Sequence, residues 1–185
     1  MADRYHHGDL RRTLLDHAAQ LAAEGNPESI TLRGLARRVG VTHSAPLHHF
    51  GTREHLLTEL ATEGFHDLCA ALDAHPTDIT AMGNAYVAWA LSHPGHYVVM
   101  WQPRLVDETS PAFLQERQRA WSLLSGAVSA ASGASPTAES SADAIAAFAI
   151  VHGLSSIWLN GVLTRPADAT ELTALVTRRL RVGDH

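Results

Sequence analysis

Apolar side chains recur along the chain at every third or fourth position, the spacing that lines one side of an α-helix. Leu10, Leu14, Ala18, Leu21 and Ala22 make the first such stripe, and Gly25-Asn26-Pro27 follows with residues that end helices. Thr31 is placed to cap a short second helix through Leu32, Leu35, Ala36 and Val39, which Gly40 closes. Thr42 is the expected cap of a third helix, kept brief by Gly51 and packed through Val39, Val41, Leu47 and Phe50. Thr52 then opens a long fourth helix whose stripe of Leu57, Leu60, Ala61, Phe65, Leu68 and Leu72 runs until His75-Pro76.

Beyond Pro76 the pattern restarts at Ile79, Met82, Tyr86, Trp89 and Ala90 and breaks at Ser92-His93-Pro94-Gly95. A short aromatic helix is expected from Tyr97 to Gln102, and another from about Pro111 through Trp121, Leu124 and Val128 to the Ala/Ser/Gly/Pro linker at 131–136. Residues 137–163 are apolar on more than one face, which predicts a helix buried on two sides. A last helix from Asp168 to Leu180 carries one stripe at Leu172, Leu175, Val176 and Leu180. No stretch alternates as a strand does, so the fold class is all-α, with about nine helices.

Composition narrows what such a bundle does. With 45% hydrophobic residues among 185, the chain can bury a substantial core. Its longest apolar run, Ala144 to Val151, is far short of the roughly 18 residues that a membrane span needs, and the opening MADRYHHGDL has no apolar leader. The expectation is a cytoplasmic protein with no membrane partner. Cys69, the single cysteine, lies at helical spacing among Phe65, Leu68 and Leu72 and reads as a small core residue. Net charge is −5, but it is uneven: the first 60 residues hold seven arginines against seven acids, together with seven of the thirteen histidines. The acid excess belongs to the remainder, which leaves the N-terminal end suited to face phosphates.

A helix, a glycine-containing turn and a short second helix form the helix-turn-helix arrangement, in which the second helix enters the DNA major groove. The segment Thr31-Leu32-Arg33-Gly34-Leu35-Ala36-Arg37-Arg38-Val39-Gly40-Val41-Thr42, followed by His49-Phe50-Gly51-Thr52-Arg53-Glu54-His55-Leu56-Leu57, resembles the DNA-binding head of the tetracycline-repressor (TetR) family. Val151-His152-Gly153 within residues 144–161, and His93 to Met100, are similar to the WHG-type C-terminal domain of that family, with Val151 where the tryptophan would stand. The resemblance implies a helix-turn-helix DNA-binding domain at 1–51 and an effector-binding and dimerisation domain at 52–185. It also implies a homodimeric transcriptional regulator, a repressor released from a palindromic double-stranded DNA operator by a small molecule.

Roles follow for individual residues under that resemblance. Thr42, His43 and Ser44 open the recognition helix, where hydroxyls and an imidazole can exchange hydrogen bonds with base edges. His48, His49, Thr52, Arg53, Thr31 and Arg33 are phosphate candidates, and Arg4, Tyr5 and His6 form an extension along the backbone or into the minor groove. Leu47 stands where the family often has a tyrosine with its hydroxyl on a phosphate, which implies weaker DNA binding. Pro46 falls near the fourth helical position, where its missing N–H costs at most one intrahelical bond.

Tyr86, Trp89, Tyr97, Met100, Trp101, Trp121, Phe148 and His152 are the expected lining of a pocket for a largely apolar effector, and Phe148, Ile157, Trp158, Leu172, Leu175 and Val176 the expected dimer interface. The break at His93-Pro94-Gly95 is expected to let the short aromatic helix shift. The same aromatic positions also suit plain core, which leaves open a DNA-binding dimer without an effector. The histidines lack a metal-ligand spacing, and no nucleophile elbow, phosphate loop or paired-carboxylate motif is present, so no metal, no cofactor and no enzymatic activity are expected.

Overall fold

The protein's computed structural model describes residues 7–132, 138–164 and 169–178. Among them are nine α-helices and no strand. The helices are α1 (His7–Ala23), α2 (Leu32–Val39), α3 (Ser44–Phe50), α4 (Arg53–Asp73), α5 (Ile79–Ser92), α6 (Pro94–Met100), α7 (Pro111–Ser132), α8 (Ala138–Leu159) and α9 (Ala169–Thr177), with a 3-10 turn at Pro27–Ser29. Two compact units emerge. One holds the described residues up to Phe65 together with His93–Leu114, and the other holds His66–Ser92 and the described residues from Gln115 onward.

In the first unit the sequence stripes become a shared core. Leu14, Ala18 and Ala22 of α1, Ile30, Leu35 and Ala36 of the α2 segment, Phe50 of α3 and Leu56, Leu57, Leu60 and Phe65 of α4 are all essentially inaccessible to solvent. Local signals set the boundaries. Thr31 Oγ1 accepts from the Gly34 N–H at 3.0 Å and starts α2, and Gly40 ends it in the left-handed conformation, φ 79°, that favours glycine. Thr52 Oγ1 accepts from the His55 N–H at 3.0 Å at the start of α4. Thr58, buried on α4, donates to the Glu54 carbonyl and accepts from the Asp107 N–H at 2.8 Å, anchoring the segment after α6.

Helix α6 packs extensively on α1. Pro94 occupies its first turn, where no intrahelical donor is lost, so the helix starts three residues earlier than the aromatic pattern suggests. Gly95 is why the two helices approach so closely: a Cβ there would lie 1.9 Å from the Ala19 carbonyl oxygen. The expected loose break at His93-Pro94-Gly95 is therefore a tight helix contact. A polar cluster reinforces it, with Arg12 Nη2 donating to Asp16 at 2.6 Å and to Glu63 at 2.8 Å, and with His96 Nε2 standing 3.2 Å from the same Glu63 oxygen.

The hydrogen bond from His96, with Arg12 beside it, outweighs desolvation and holds the Glu63 carboxyl down at about 2. A carboxyl depressed on folding adds stability that is fully present above its unfolded pKa and is lost as pH falls through the folded one. Glu63→Gln is thus expected to remove part of the stability loss between about pH 4.5 and 2, read as a smaller difference between denaturant midpoints at the two ends of that window.

The second unit is organised on α5, which packs on both α8 and α9. Met82, Tyr86, Val87, Trp89 and Ala90 of α5 are buried. The inward stripe of α8 is Ala144, Ala147, Val151, Ser155 and Trp158, mostly small groups that let α5 come near. At Gly83 an added Cβ would meet Thr177 at 3.0 Å and Val151 at 3.2 Å, so α5, α8 and α9 converge there. Val128 of α7 joins Ala144 and Ala147, with Ile79 and Leu124 packed alongside.

Candidate nucleic-acid interface

Helix α3 presents two unlike sides. Pro46 and Phe50, one turn apart, are buried, whereas Ser44, Leu47 and His48 are exposed along the opposite edge. Pro46 is the third helical residue, inside the first turn whose donors have no intrahelical partner, so it forfeits no bond and adds its ring to the core. Two expectations change here. Leu47 is 56% exposed and does not pack the helix. The cap position falls on His43, in helical geometry with no side-chain cap, while Thr42 Oγ1 lies 3.2 Å from Ser44 Oγ. A brief helix flanked by Gly40 and Gly51 is thereby held through its buried edge, and Thr42, His43 and Ser44 remain exposed at its start.

The head's arginines sort by what they already hold. Arg11 pairs with Glu59 and lies over the Phe50 ring, 5.5 Å from its centroid. Arg12 is engaged by Asp16 and Glu63, and Arg38 reaches Glu24 at 2.7 Å. Arg53 has a structural role that its place in the sequence does not show. Its Nε donates to the carbonyl of Ile30 at 2.6 Å and its Nη2 to those of Pro27 at 3.0 Å and Glu28 at 3.2 Å, so it ties the turn before α2 to the start of α4. Arg33 and Arg37 remain. They are exposed one turn apart on α2 and have no ion pair among the described residues.

Arg37 was not among the expected contacts, although its spacing of four from Arg33 is visible in the sequence. Thr31 and Thr52 are exposed but spend an oxygen lone pair on helix capping, which leaves each hydroxyl its proton to donate. His48 and His49 meet edge to face at 5.8 Å. Arg4, Tyr5 and His6 lie outside the described residues.

The eight expected effector residues include members of both units. Tyr86, Phe148 and His152 come together in the second unit, with Tyr86 Oη 3.1 Å from His152 Nδ1 and the Phe148 ring against both partners. Burial lowers the pKa of His152, favouring the neutral ring. Trp89 is buried in the same unit. Trp101 packs instead on Phe65, 5.2 Å between ring centroids, and Met100 fills the space beside Gly64, both in the first unit with Tyr97. Trp121 is 38% exposed on α7. A groove of about 250 Å³ between α5 and α9, lined among others by Asn84, Val87, Leu91, Ser92, Thr170 and Thr173, contains none of the eight. Among the described residues, no group of three or more His, Cys, Asp or Glu is placed to hold a metal ion.

The expected interface residues also divide. Trp158 is 8% exposed, and half-buried Phe148 packs on Tyr86 and His152. Leu172 and Leu175 point outward at 39% and 47% exposure, joined by Ile145 of α8 at 58%, which the sequence reading did not single out. Ile157 and Val176 are half-buried. Although the longest uninterrupted apolar run is short, the window Ala142–Leu159 has mean hydropathy 1.5, enough in length and composition to cross a membrane, and 28% of it is buried.

Known proteins are similar to this chain in sequence and fold. Residues 14–60 match the family of bacterial regulatory proteins described as the tetR family, and residues 79–180 match a tetracyclin repressor-like C-terminal domain. An HTH-type transcriptional regulator of Mycobacterium tuberculosis is 28% identical over 100 residues, which is 49% of this chain and 39% of that relative. The solved structure of a protein of unknown function from Rhodococcus sp. RHA1 is 30% identical, with 97% of each chain covered and a TM-score of 0.75. The TetR family regulator PfmR from Thermus thermophilus shares the fold, with a TM-score of 0.73 at 19% identity over 93% of this chain and 98% of its own. Both matched regions lie on the helices described above, and with the C-terminal match alone covering more than half of the sequence, the chain belongs to the TetR family of DNA-binding transcriptional regulators.

Proposed function

We propose that the protein is a cytoplasmic, homodimeric repressor that holds a two-fold symmetric operator and releases it when a small, largely apolar molecule binds in the C-terminal domain. One observation carries the DNA contact: among the described residues, Arg33 and Arg37 are the head's arginines with neither an ion pair nor a side-chain hydrogen bond, and they stand on the helix before an exposed Thr42-His43-Ser44. In a helix-turn-helix the first helix crosses the phosphate backbone and the second reads the major groove. Arg33 and Arg37 then position the head, and Thr42, His43 and Ser44 meet base edges, with His48 and His49 one turn further along.

Removing a phosphate contact weakens every sequence alike and lowers the dependence of log Kobs on log[salt] by about 0.9 per contact. The double variant Arg33→Ala/Arg37→Ala is expected to show that uniform loss in gel shifts across a salt series. A salt slope equal to wild type sinks the assignment. For the effector, Tyr86, Phe148 and the neutral His152 supply two aromatic faces and a hydroxyl–imidazole pair in the second unit, a mixture suited to a largely apolar ligand with one polar group. Dimerisation draws on the outward apolar side chains of α8 and α9.

A further inference from the structure

Leu47 does no folding work that the structure shows. It is 56% exposed in the middle of α3, while the neighbours Pro46 and Phe50 are buried and Ser44 and His48 share its outward edge. A large apolar group held in water between polar ones, on the helix that follows cationic Arg33 and Arg37, is suited to an apolar partner within a polyanionic one. The edges of bases in the major groove offer a single apolar group, the C5-methyl of a pyrimidine; every other feature there is a hydrogen-bond donor or acceptor. A phosphate gives leucine nothing to bind, and the deoxyribose C–H groups are the same at every nucleotide and carry no sequence information.

We propose that Leu47 is a specificity-determining residue that contacts a pyrimidine C5-methyl in each half-site, thymine in unmodified DNA. This rests on the reading of α3 as the recognition helix. Thr42, His43 and Ser44 exchange hydrogen bonds at the start of the helix, and Leu47, one turn beyond Ser44, adds a contact that discriminates by shape and hydration alone. Burying one methyl-sized group changes affinity by about four-fold, from roughly 0.8 kcal/mol per carbon buried.

The test uses the full chain and a duplex selected by it from random DNA, with each thymine in turn replaced by deoxyuridine, which removes only the methyl. Wild type is expected to lose about four-fold at one thymine per half-site and about fifteen-fold when both half-sites are changed. Leu47→Ala is expected to bind more weakly and to be indifferent to uracil at that position, while Leu47→Met retains the sensitivity. In parallel, methylating each cytosine of the duplex at C5 distinguishes the source: a gain on methylation that Leu47→Ala abolishes assigns the contact to 5-methylcytosine and supports the same chemistry. Circular dichroism of Leu47→Ala checks that the fold is kept. Equal uracil sensitivity in wild type and Leu47→Ala overturns the inference and leaves the DNA-binding reading standing. Failure to select any sequence overturns that reading and the inference together.

Discussion

Replacing Gly95 with alanine is expected to destabilise the first unit by about 3 kcal/mol, near the upper end of what overpacking costs. The reason is geometric. The new Cβ would sit 1.9 Å from the Ala19 carbonyl oxygen and 2.7 Å from its carbon, and both belong to backbone that no rotamer change can move aside. Helix α6 must therefore withdraw from α1, which also pulls His96 from Glu63 and so loosens a carboxylate shared with Arg12. For a chain of this length such a loss lowers Tm by about 6–12 °C. Gly126, exposed on α7 with nothing within 4 Å of an added Cβ, is the matched control. There alanine is expected to stabilise by about 0.5–1 kcal/mol, because glycine weakens a helix interior by that amount. Thermal melts of the two variants decide the matter, and a Gly95→Ala protein melting at or above wild type would show that α6 is not held against α1 in this way.

Ile145→Asp combined with Leu175→Asp is expected to convert the proposed dimer into a monomer and to weaken binding to a two-fold site by about 10²–10⁴, the gain that a second linked head confers. Both side chains are largely exposed in the protomer, so charging them spares its core while placing carboxylates in an interface that must be dry. The same change at Trp158, which is 8% exposed, would confound loss of the dimer with loss of the fold. Helix α8 supplies the driving force: its Ala142–Leu159 window has mean hydropathy 1.5, yet only 28% of it is buried, which leaves apolar side chains such as Ile145 facing outward. Sedimentation equilibrium at micromolar concentration should give twice the chain mass for wild type and the chain mass for the variant. A wild-type monomer would contradict the proposed assembly.

Helix positions are legible because each is written twice, once in the apolar stripe and once in the punctuation. Thr31, Gly40 and Thr52 do at their places what cap chemistry requires, and α2 and α4 start and stop accordingly. The third helix is less legible. Thr42 is a good capping residue by type, but it pairs with Ser44 and leaves the cap position to His43. Leu47 suits packing by residue type and by its three-residue spacing from Phe50, yet the buried edge runs from Pro46 to Phe50 and leaves Leu47 56% exposed.

Arg53 shows a different limit. A basic residue at a helix start beside a DNA-reading helix is an obvious phosphate candidate, and nothing in the sequence reveals that the Ile30, Pro27 and Glu28 carbonyls converge on it. The same holds for Gly95, which reads as a break because it follows proline, when its lack of a side chain is what admits Ala19. Long-range partners decide both, and periodicity carries no information about them. Tyr86, Trp89, Tyr97 and Met100 are buried, as their periodicity suggests, but periodicity does not tell pocket lining from plain core.

The central claim is that α2 and α3 recognise DNA by sequence, and selection from a random duplex library by the full chain tests it most directly. At moderate salt a two-fold symmetric sequence is expected to be enriched, with half-sites separated by about one helical turn, 34–36 Å, or a multiple of it. Thr42→Ala or His43→Ala is expected to relax the consensus at specific positions by about 1–3 kcal/mol per lost base contact, while Arg33→Ala/Arg37→Ala weakens all sequences without changing the consensus. Absence of any enriched sequence, or a consensus unaltered by the Thr42 and His43 variants, would contradict that claim.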